Sequence, residues 1–241
     1  MKIWAHRGCS QRYPENTLLS FSKACAIKNL TGIELDIQMT KDKYIVVCHD
    51  ERVDRTTNGY GEIRNFTLKE IRKLKIDAGG GAYERVPRIE EVLELLEARF
   101  RNGFMLNIEL KNGLIPYEGM EEKIVTLIEK RGFSKNVIYS SFNALSLEKI
   151  KRIAPDVQTA ILDIKISDCL YKAEGGCGAE ALHPYWQGIN IPREKFLGYV
   201  VRAWFTGHLY PDKSTGTILD LAALEKQGIS DVFLNEPEKY L

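Results

Sequence analysis

Short runs of β-branched and other apolar residues alternate along this chain with longer stretches whose apolar positions recur every three or four residues. The first run, Lys2-Ile3-Trp4-Ala5-His6-Arg7-Gly8, predicts a strand. Residues 16–28 carry apolar side chains at 18, 19, 21, 24, 25 and 27, a helical spacing whose start Pro14 and Glu15 mark. Ile33, Leu35 and Ile37 then alternate with Glu34 and Asp36, and a second apolar run over 44–50 ends in His49 and Asp50. Further helices are predicted at 89–100, 120–130, 145–153 and 218–227. Further strands are predicted at 104–110, 137–141, 157–162, 199–204 and 231–234, while the pattern is indistinct at 163–172 and 181–185.

Alternation of helices with apolar strands predicts a parallel α/β fold. Nine candidate strands are one more than an eight-stranded barrel holds, and the excess has a physical source. Parallel neighbours need a crossover of about a dozen residues, yet only Thr40-Lys41-Asp42-Lys43 separates the strand of Glu34 from that of Val46. That link can make only a hairpin. With Lys41 and Asp42 at its turn, Thr40 pairs with Lys43 and Glu34 lies opposite His49. The other eight strands fit a (β/α)8 TIM-type barrel, read as a single domain over 1–241 with an extra hairpin strand. Residues 51–88 break the alternation and read as a small insertion over the C-terminal face, where barrel enzymes place their chemistry. Its glycines at 79–81 are followed by no Lys-Ser/Thr and read as a turn rather than a phosphate loop.

Composition narrows the classes. A chain of 241 residues that is 44% hydrophobic can bury a large core. Lys and Arg total 34 against 33 acidic residues, with no basic stripe, so nucleic acid is not the expected partner. No apolar run approaches the length of a membrane span, and the first residues lack a leader's apolar stretch. The five scattered cysteines argue against a disulfide framework and favour the cytoplasm, with Cys169 and Cys177 read as packing residues.

Candidate chemistry concentrates at strand ends. Only four histidines occur, and His6 and His49 close two of the apolar runs around Glu34 and Asp36. On a strand, residues two apart share a face, so both carboxylates point together. Glu109 and Lys111 end a later strand in the same alternation. Two imidazoles, three acids and two bases at strand ends describe a metal-dependent acid–base site. Asp50 either orients His49 or caps a turn, and His183 and His208, on weaker strands, are candidate substrate contacts.

These residues fall within an ordered set: His6-Arg7-Gly8, Pro14-Glu15-Asn16-Thr17, Glu34-Leu35-Asp36, Thr40-Lys41-Asp42, His49-Asp50, Arg55-Thr56-Thr57-Asn58-Gly59, Val86-Pro87-Arg88-Ile89, Asn107-Ile108-Glu109-Leu110-Lys111 and Ser140-Ser141-Phe142. Together they resemble the glycerophosphodiester phosphodiesterase family, densely from residue 3 to about 142 and thinly beyond. The resemblance implies a (β/α)8 barrel that uses Mg2+ or Ca2+ to cleave glycerophosphodiesters to glycerol 3-phosphate and an alcohol. It makes His6 and His49 the general acid/base pair and Glu34, Asp36 and Glu109 the metal ligands. It puts Arg7 and Lys111 on the phosphate, with Phe142 and Trp204 beside the substrate. An all-oxygen ligand set suits such hard cations better than zinc.

The C-terminal third departs from the family pattern. Trp204-Phe205-Thr206-Gly207 lacks the usual asparagine, and Asn235 stands where an acid is common. The departures leave substrate choice open, lysophospholipase D-type action on lysophospholipids being the alternative. A barrel amidohydrolase would bring a His-x-His strand end, which is missing here. An inactive phosphoester-binding barrel would have lost one of His6, His49, Glu34, Asp36 or Glu109, and all five are present.

Overall fold

Strands buried on both faces need helices on the outside and a filled interior, and the closed parallel barrel meets both needs. The computed structural model describes every residue except Thr215 and Thr217. In chain order its elements begin β1 (Lys2–His6), α1 (Leu18–Cys25), β2 (Gly32–Met39), β3 (Ile45–Val47), α2 (Leu68–Ile71), β4 (Ile76–Gly79), β5 (Ala82–Glu84) and α3 (Ile89–Phe100). They continue with β6 (Met105–Leu110), α4 (Met120–Lys130), β7 (Val137–Ser141), α5 (Ala144–Ile153), β8 (Gln158–Asp163) and α6 (Ile166–Lys172). The last are β9 (Ala181–Pro184), β10 (Val200–Trp204), α7 (Leu221–Lys226) and β11 (Asp231–Leu234). β1, β2 and β6 to β11 form eight parallel strands, and pairing of β1 with both β2 and β11 closes the barrel.

Two layers of apolar packing hold it. Ile33, Leu35, Ile37, Leu106 and Ile108 face outward onto Val92, Leu96, Ile124 and Ile128 of the surrounding helices. Inside the barrel Trp4, Ile138, Ala160, Ala181 and Phe233 fill a separate layer. All of these are at most 2% exposed, and each fully buried large aliphatic side chain stabilises the fold by about 1.5–3 kcal/mol.

β3 adds antiparallel to β2, as a hairpin must, but the register differs from the expected one. Ile37 lies opposite Val47 and Met39 opposite Ile45, so Thr40 pairs with Tyr44 rather than Lys43. The cause is Lys43, whose φ of 67° lengthens the turn to three residues ending in a left-handed position. Cys48 N–H consequently donates to Asp36 O, 3.0 Å, and His49 is not paired with Glu34.

Residues 51–88 contain α2, the β4–β5 hairpin and a 3-10 turn at Ile63–Asn65. They pack Val53, Ile63, Ile71, Ile76 and Val86 on Val46 and Cys48 of the hairpin, a satellite core. Arg72 fixes this layer to α3 through paired hydrogen bonds to Glu91, 2.7 and 2.9 Å. The indistinct segments resolve as α6 and β9. Between β9 and β10 the connection holds 3-10 turns at Trp186–Gly188 and Arg193–Lys195 instead of an α-helix. Gly188 explains the close fit there, since a Cβ would stand 1.8 Å from Ile164 O. Among the described residues no helix is long and apolar enough to cross a membrane.

Candidate active site

The register of the strands assembles the acids. His6 pairs with Glu34, and Asp36 pairs with Glu109 on the next strand, so inward-facing positions meet at the C-terminal ends of β1, β2 and β6. One oxygen from each of Glu34, Asp36 and Glu109 lies within 4.8 Å of the others, and all three residues are buried. Burial, then Asp36 and Glu109, pushes the Glu34 carboxyl well above its ordinary range. Burial also raises Glu109, against the nearby Lys111 charge. At Asp36 burial acts in the same direction, but His49, Arg7, Lys111 and a hydrogen bond from Asn16 Nδ2, 2.9 Å, outweigh it and keep the group ionised.

Glu34 Oε1 and Asp36 Oδ1 are buried and have no hydrogen-bond partner. Bare carboxylate oxygens in an apolar interior are costly unless a charge compensates them. Three convergent carboxylates with open lone pairs fit a hard divalent cation.

Each imidazole is held by its Nδ1. His6 Nδ1 lies 2.7 Å from Asn235 Oδ1, while the amide nitrogen of Asn235 donates to His208 O at 3.3 Å and so fixes which way the amide points. His6 Nδ1 is therefore the donor, and its Nε2 faces Glu34 Oε2 at 3.8 Å. Burial first, and the Arg7 charge second, pull His6 down to about 3, so it is neutral near pH 7. His49 Nδ1 donates to Asp50 Oδ1 at 2.7 Å, leaving Nε2 3.2 Å from Lys111 Nζ. Burial opposes ionisation of Asp50, but the bonds from His49 and Arg55 hold its carboxyl well below the usual range.

Arg7 and Lys111 stand on opposite sides of the acids. Lys111 Nζ is 2.9 Å from Glu109 Oε1 and 3.9 Å from Asp36 Oδ1. Arg7 has φ of 56°, which turns its backbone N–H onto Glu34 Oε2, 3.0 Å, while its guanidinium meets Glu15 at 2.9 Å and Asp36 at 3.4 Å. Gly8, at φ 81°, follows because a Cβ there would sit 2.5 Å from Ser20 Oγ, in the first turn of α1. Arg55 reaches Glu15 at 2.6 and 2.9 Å and Asp50 at 2.7 and 3.0 Å. A continuous chain of ion pairs thus runs from Arg7 through Glu15 and Arg55 to Asp50 and His49.

The structure brings every acid–base, cation and phosphate candidate except Asp36, together with Phe142 and Trp204, to the lining of one cavity of about 70 Å³. Asp36 lies directly beneath it, wholly buried. Phe142 and Trp204 meet edge to face at its mouth, centroids 6.4 Å apart, with Lys111 Nζ 5.9 Å from the Phe142 ring. His183 lines the same cavity, whereas His208 lines a neighbouring one with Gln11 and Glu236. Sequence reasoning gave no role to Glu15, Asn16, Arg55 or Asn107, although all four lie in its ordered motifs. Asn235 had drawn notice only as a departure.

A family model described as "Glycerophosphoryl diester phosphodiesterase family" matches residues 6–167. A glycerophosphodiester phosphodiesterase of Caldanaerobacter subterraneus is 46% identical over 163 residues, 66% of this chain and 65% of that protein, so the match spans just under two thirds of the relative. A glycerophosphodiester phosphodiesterase of Bacillus subtilis is 34% identical over 259 residues, with 98% of this chain and 84% of the relative covered. Among solved structures, an Oleispira antarctica phosphodiesterase in complex with the product sn-glycerol-3-phosphate matches at a TM-score of 0.76 and 27% identity, covering 99% of this chain and 94% of the other.

Proposed function

We propose, for a chain that belongs to the glycerophosphoryl diester phosphodiesterase family, that it hydrolyses glycerophosphodiesters to glycerol 3-phosphate and an alcohol. The observation that carries the reading is the meeting of three buried carboxylates with two imidazoles, each imidazole held through its Nδ1 and lining the same cavity. Glu34, Asp36 and Glu109 would hold a divalent cation, Mg2+ or Ca2+. When bound, it supplies positive charge for the phosphoryl oxygens as negative charge grows on them.

The remaining chemistry belongs to the chain. Arg7 and Lys111 flank the acids and pair with the phosphoryl oxygens. His6 is neutral with an open Nε2, so it takes the proton of the attacking hydroxyl. His49 is oriented through Nδ1 by the ionised Asp50 carboxylate and gives the leaving alkoxide its proton. The glycerol's own 2-hydroxyl is the nucleophile: its oxygen bonds phosphorus, the alcohol leaves, and a five-membered cyclic phosphate forms. Water then opens the ring, with His49 accepting the water's proton and His6 returning one to the 2-oxygen. A 2-deoxy glycerophosphodiester tests this step. It should not turn over, and turnover at the normal rate would rule out the internal nucleophile.

Action on lysophospholipids is a second reading. A groove of about 650 Å³ beside Lys111 is lined by Phe142 and Leu114, the latter 81% exposed, and offers apolar surface to the acyl chain on a lysophospholipid's glycerol. Release of glycerol 3-phosphate from soluble glycerophosphodiesters, and of lysophosphatidic acid from lysophospholipids, with and without EDTA, tests both. Release from neither class would overturn the assignment and favour a phosphoester-binding barrel.

A further inference from the structure

At the floor of the active-site cavity, His183 carries an unpartnered buried nitrogen. Its side chain sits on β9, wholly inaccessible to solvent, and its Nδ1 has no hydrogen-bond partner. Its Nε2 lies 3.3 Å from Arg202 Nη1. A guanidinium only donates, so Nε2 must accept, and the ring proton of the neutral imidazole is forced onto Nδ1. Arg202 is fixed in turn, its Nε 3.3 Å from Asp231 Oδ2, an oxygen that also accepts from Trp4 Nε1 at 2.8 Å. The ring packs at a tilt against Phe233, centroids 5.1 Å apart. Burial, and then the Arg202 charge, keep His183 far below an ordinary histidine, so it is no proton carrier near neutral pH.

A second unpartnered atom lines the same cavity. Asn107 donates through Nδ2 to Ser140 Oγ, 2.8 Å, and leaves its Oδ1 buried without a partner. A donor left open costs stability, as does an acceptor, unless a ligand completes them. A hydroxyl group both accepts and donates, so the hydroxyls of a small polyol can satisfy both atoms. A phosphoryl oxygen cannot donate to Asn107, and the cationic groups that suit phosphate, Arg7 and Lys111, lie by the acids. Leu162, Phe233 and Trp204 also line the cavity and suit the carbon backbone of a small polyol.

We infer that His183 and Asn107 form the subsite for free hydroxyls of the substrate's glycerol, with His183 donating from Nδ1, Asn107 accepting, and Arg202 as the positioning residue that sets the tautomer. The inference rests on the proposed reaction, because the hydroxyls it reads belong to that substrate.

Binding calorimetry with glycerol 3-phosphate and propyl phosphate, which has the same carbon count and no hydroxyl, in the presence of Mg2+ separates the two ideas. The wild-type chain should prefer glycerol 3-phosphate by ~10–100-fold, the range for one polar contact in a site built for it. His183→Leu should reduce that preference by ~10-fold or more by weakening glycerol 3-phosphate alone, and His183→Asn, which keeps a donor and an acceptor, should restore part of it. No preference in the wild type, or equal weakening of both ligands in His183→Leu, would overturn the inference. Preference without any diester hydrolysis would leave the subsite standing and remove the proposed reaction instead. Independently of how the variants fold, 15N NMR of the wild type should show His183 protonated at Nδ1 and perturbed by glycerol 3-phosphate but not by propyl phosphate. An Nε2-protonated ring would contradict the account.

Discussion

Replacing Asn235 by leucine probes the arrangement of the site without touching an acid, a base or a phosphate contact. Asn235 Oδ1 is the acceptor of the 2.7 Å bond from His6 Nδ1, and no other acceptor is bonded to that nitrogen among the described residues. Leucine is close in volume but offers no oxygen, so His6 would keep a buried Nδ1–H unpaired or exchange its tautomer, placing the proton on the nitrogen that must act as base. An unsatisfied buried donor costs about 1–3 kcal/mol, which corresponds to ~5–150-fold in rate if the cost falls on the reactive arrangement of the ring. We expect kcat to fall within that range with KM little changed, because phosphate and cation contacts remain. Asn235→Asp, which retains an oxygen toward Nδ1, should keep the ring in place. Initial rates of glycerol 3-phosphate release over a range of substrate, with circular dichroism to confirm folding, decide the matter. A folded Asn235→Leu chain with wild-type kcat would refute the idea that this amide sets the His6 tautomer.

Three further outcomes follow from the same geometry. His6→Ala and His49→Ala should each reduce turnover by ~10²–10⁴ with the fold retained, the general acid–base range, and near wild-type turnover of either variant under saturating metal would remove its role. Glu109→Gln should bind the cation more weakly and recover activity as Mg2+ or Ca2+ is raised, whereas Lys111→Met should not recover; a metal titration giving the reverse would mean the two roles are misassigned. Below about pH 6.5 the unfolded chain takes up a proton at His183 that the folded chain refuses, so this residue makes stability fall with falling pH. The wild type should lose up to ~1.4 kcal/mol per pH unit more than His183→Asn over that range in urea melts, and parallel pH profiles would contradict a neutral buried imidazole.

The barrel was readable because its strands and helices are locally consistent. Residues 89–100, 120–130, 137–141 and 231–234 read from their periodicity coincide with α3, α4, β7 and β11. The convergence of Glu34, Asp36 and Glu109 was accessible too, since strand alternation fixes direction and barrel topology fixes which end they share. The hairpin register escaped by one residue because the left-handed conformation of Lys43 leaves no mark in hydrophobic patterning. No helix was read between β9 and β10 and none forms there, but the close approach of Gly188 to Ile164 that this connection requires is a tertiary fact. Partners remote in sequence were the least accessible. His6 and Asn235 are separated by 229 positions, and Arg202 meets His183 from a neighbouring strand, so neither pairing could be read from spacing.

The central claim is that this cavity splits a glycerophosphodiester on the alcohol side with the help of a cation held by Glu34, Asp36 and Glu109. A 31P NMR time course with a soluble glycerophosphodiester, run with Mg2+ or Ca2+ and again after EDTA, follows every phosphorus species at once. The account predicts conversion of the diester to glycerol 3-phosphate in the metal-containing sample and an unchanged diester signal in EDTA. Appearance of the alcohol's phosphomonoester with free glycerol, or equal turnover in EDTA, would contradict it.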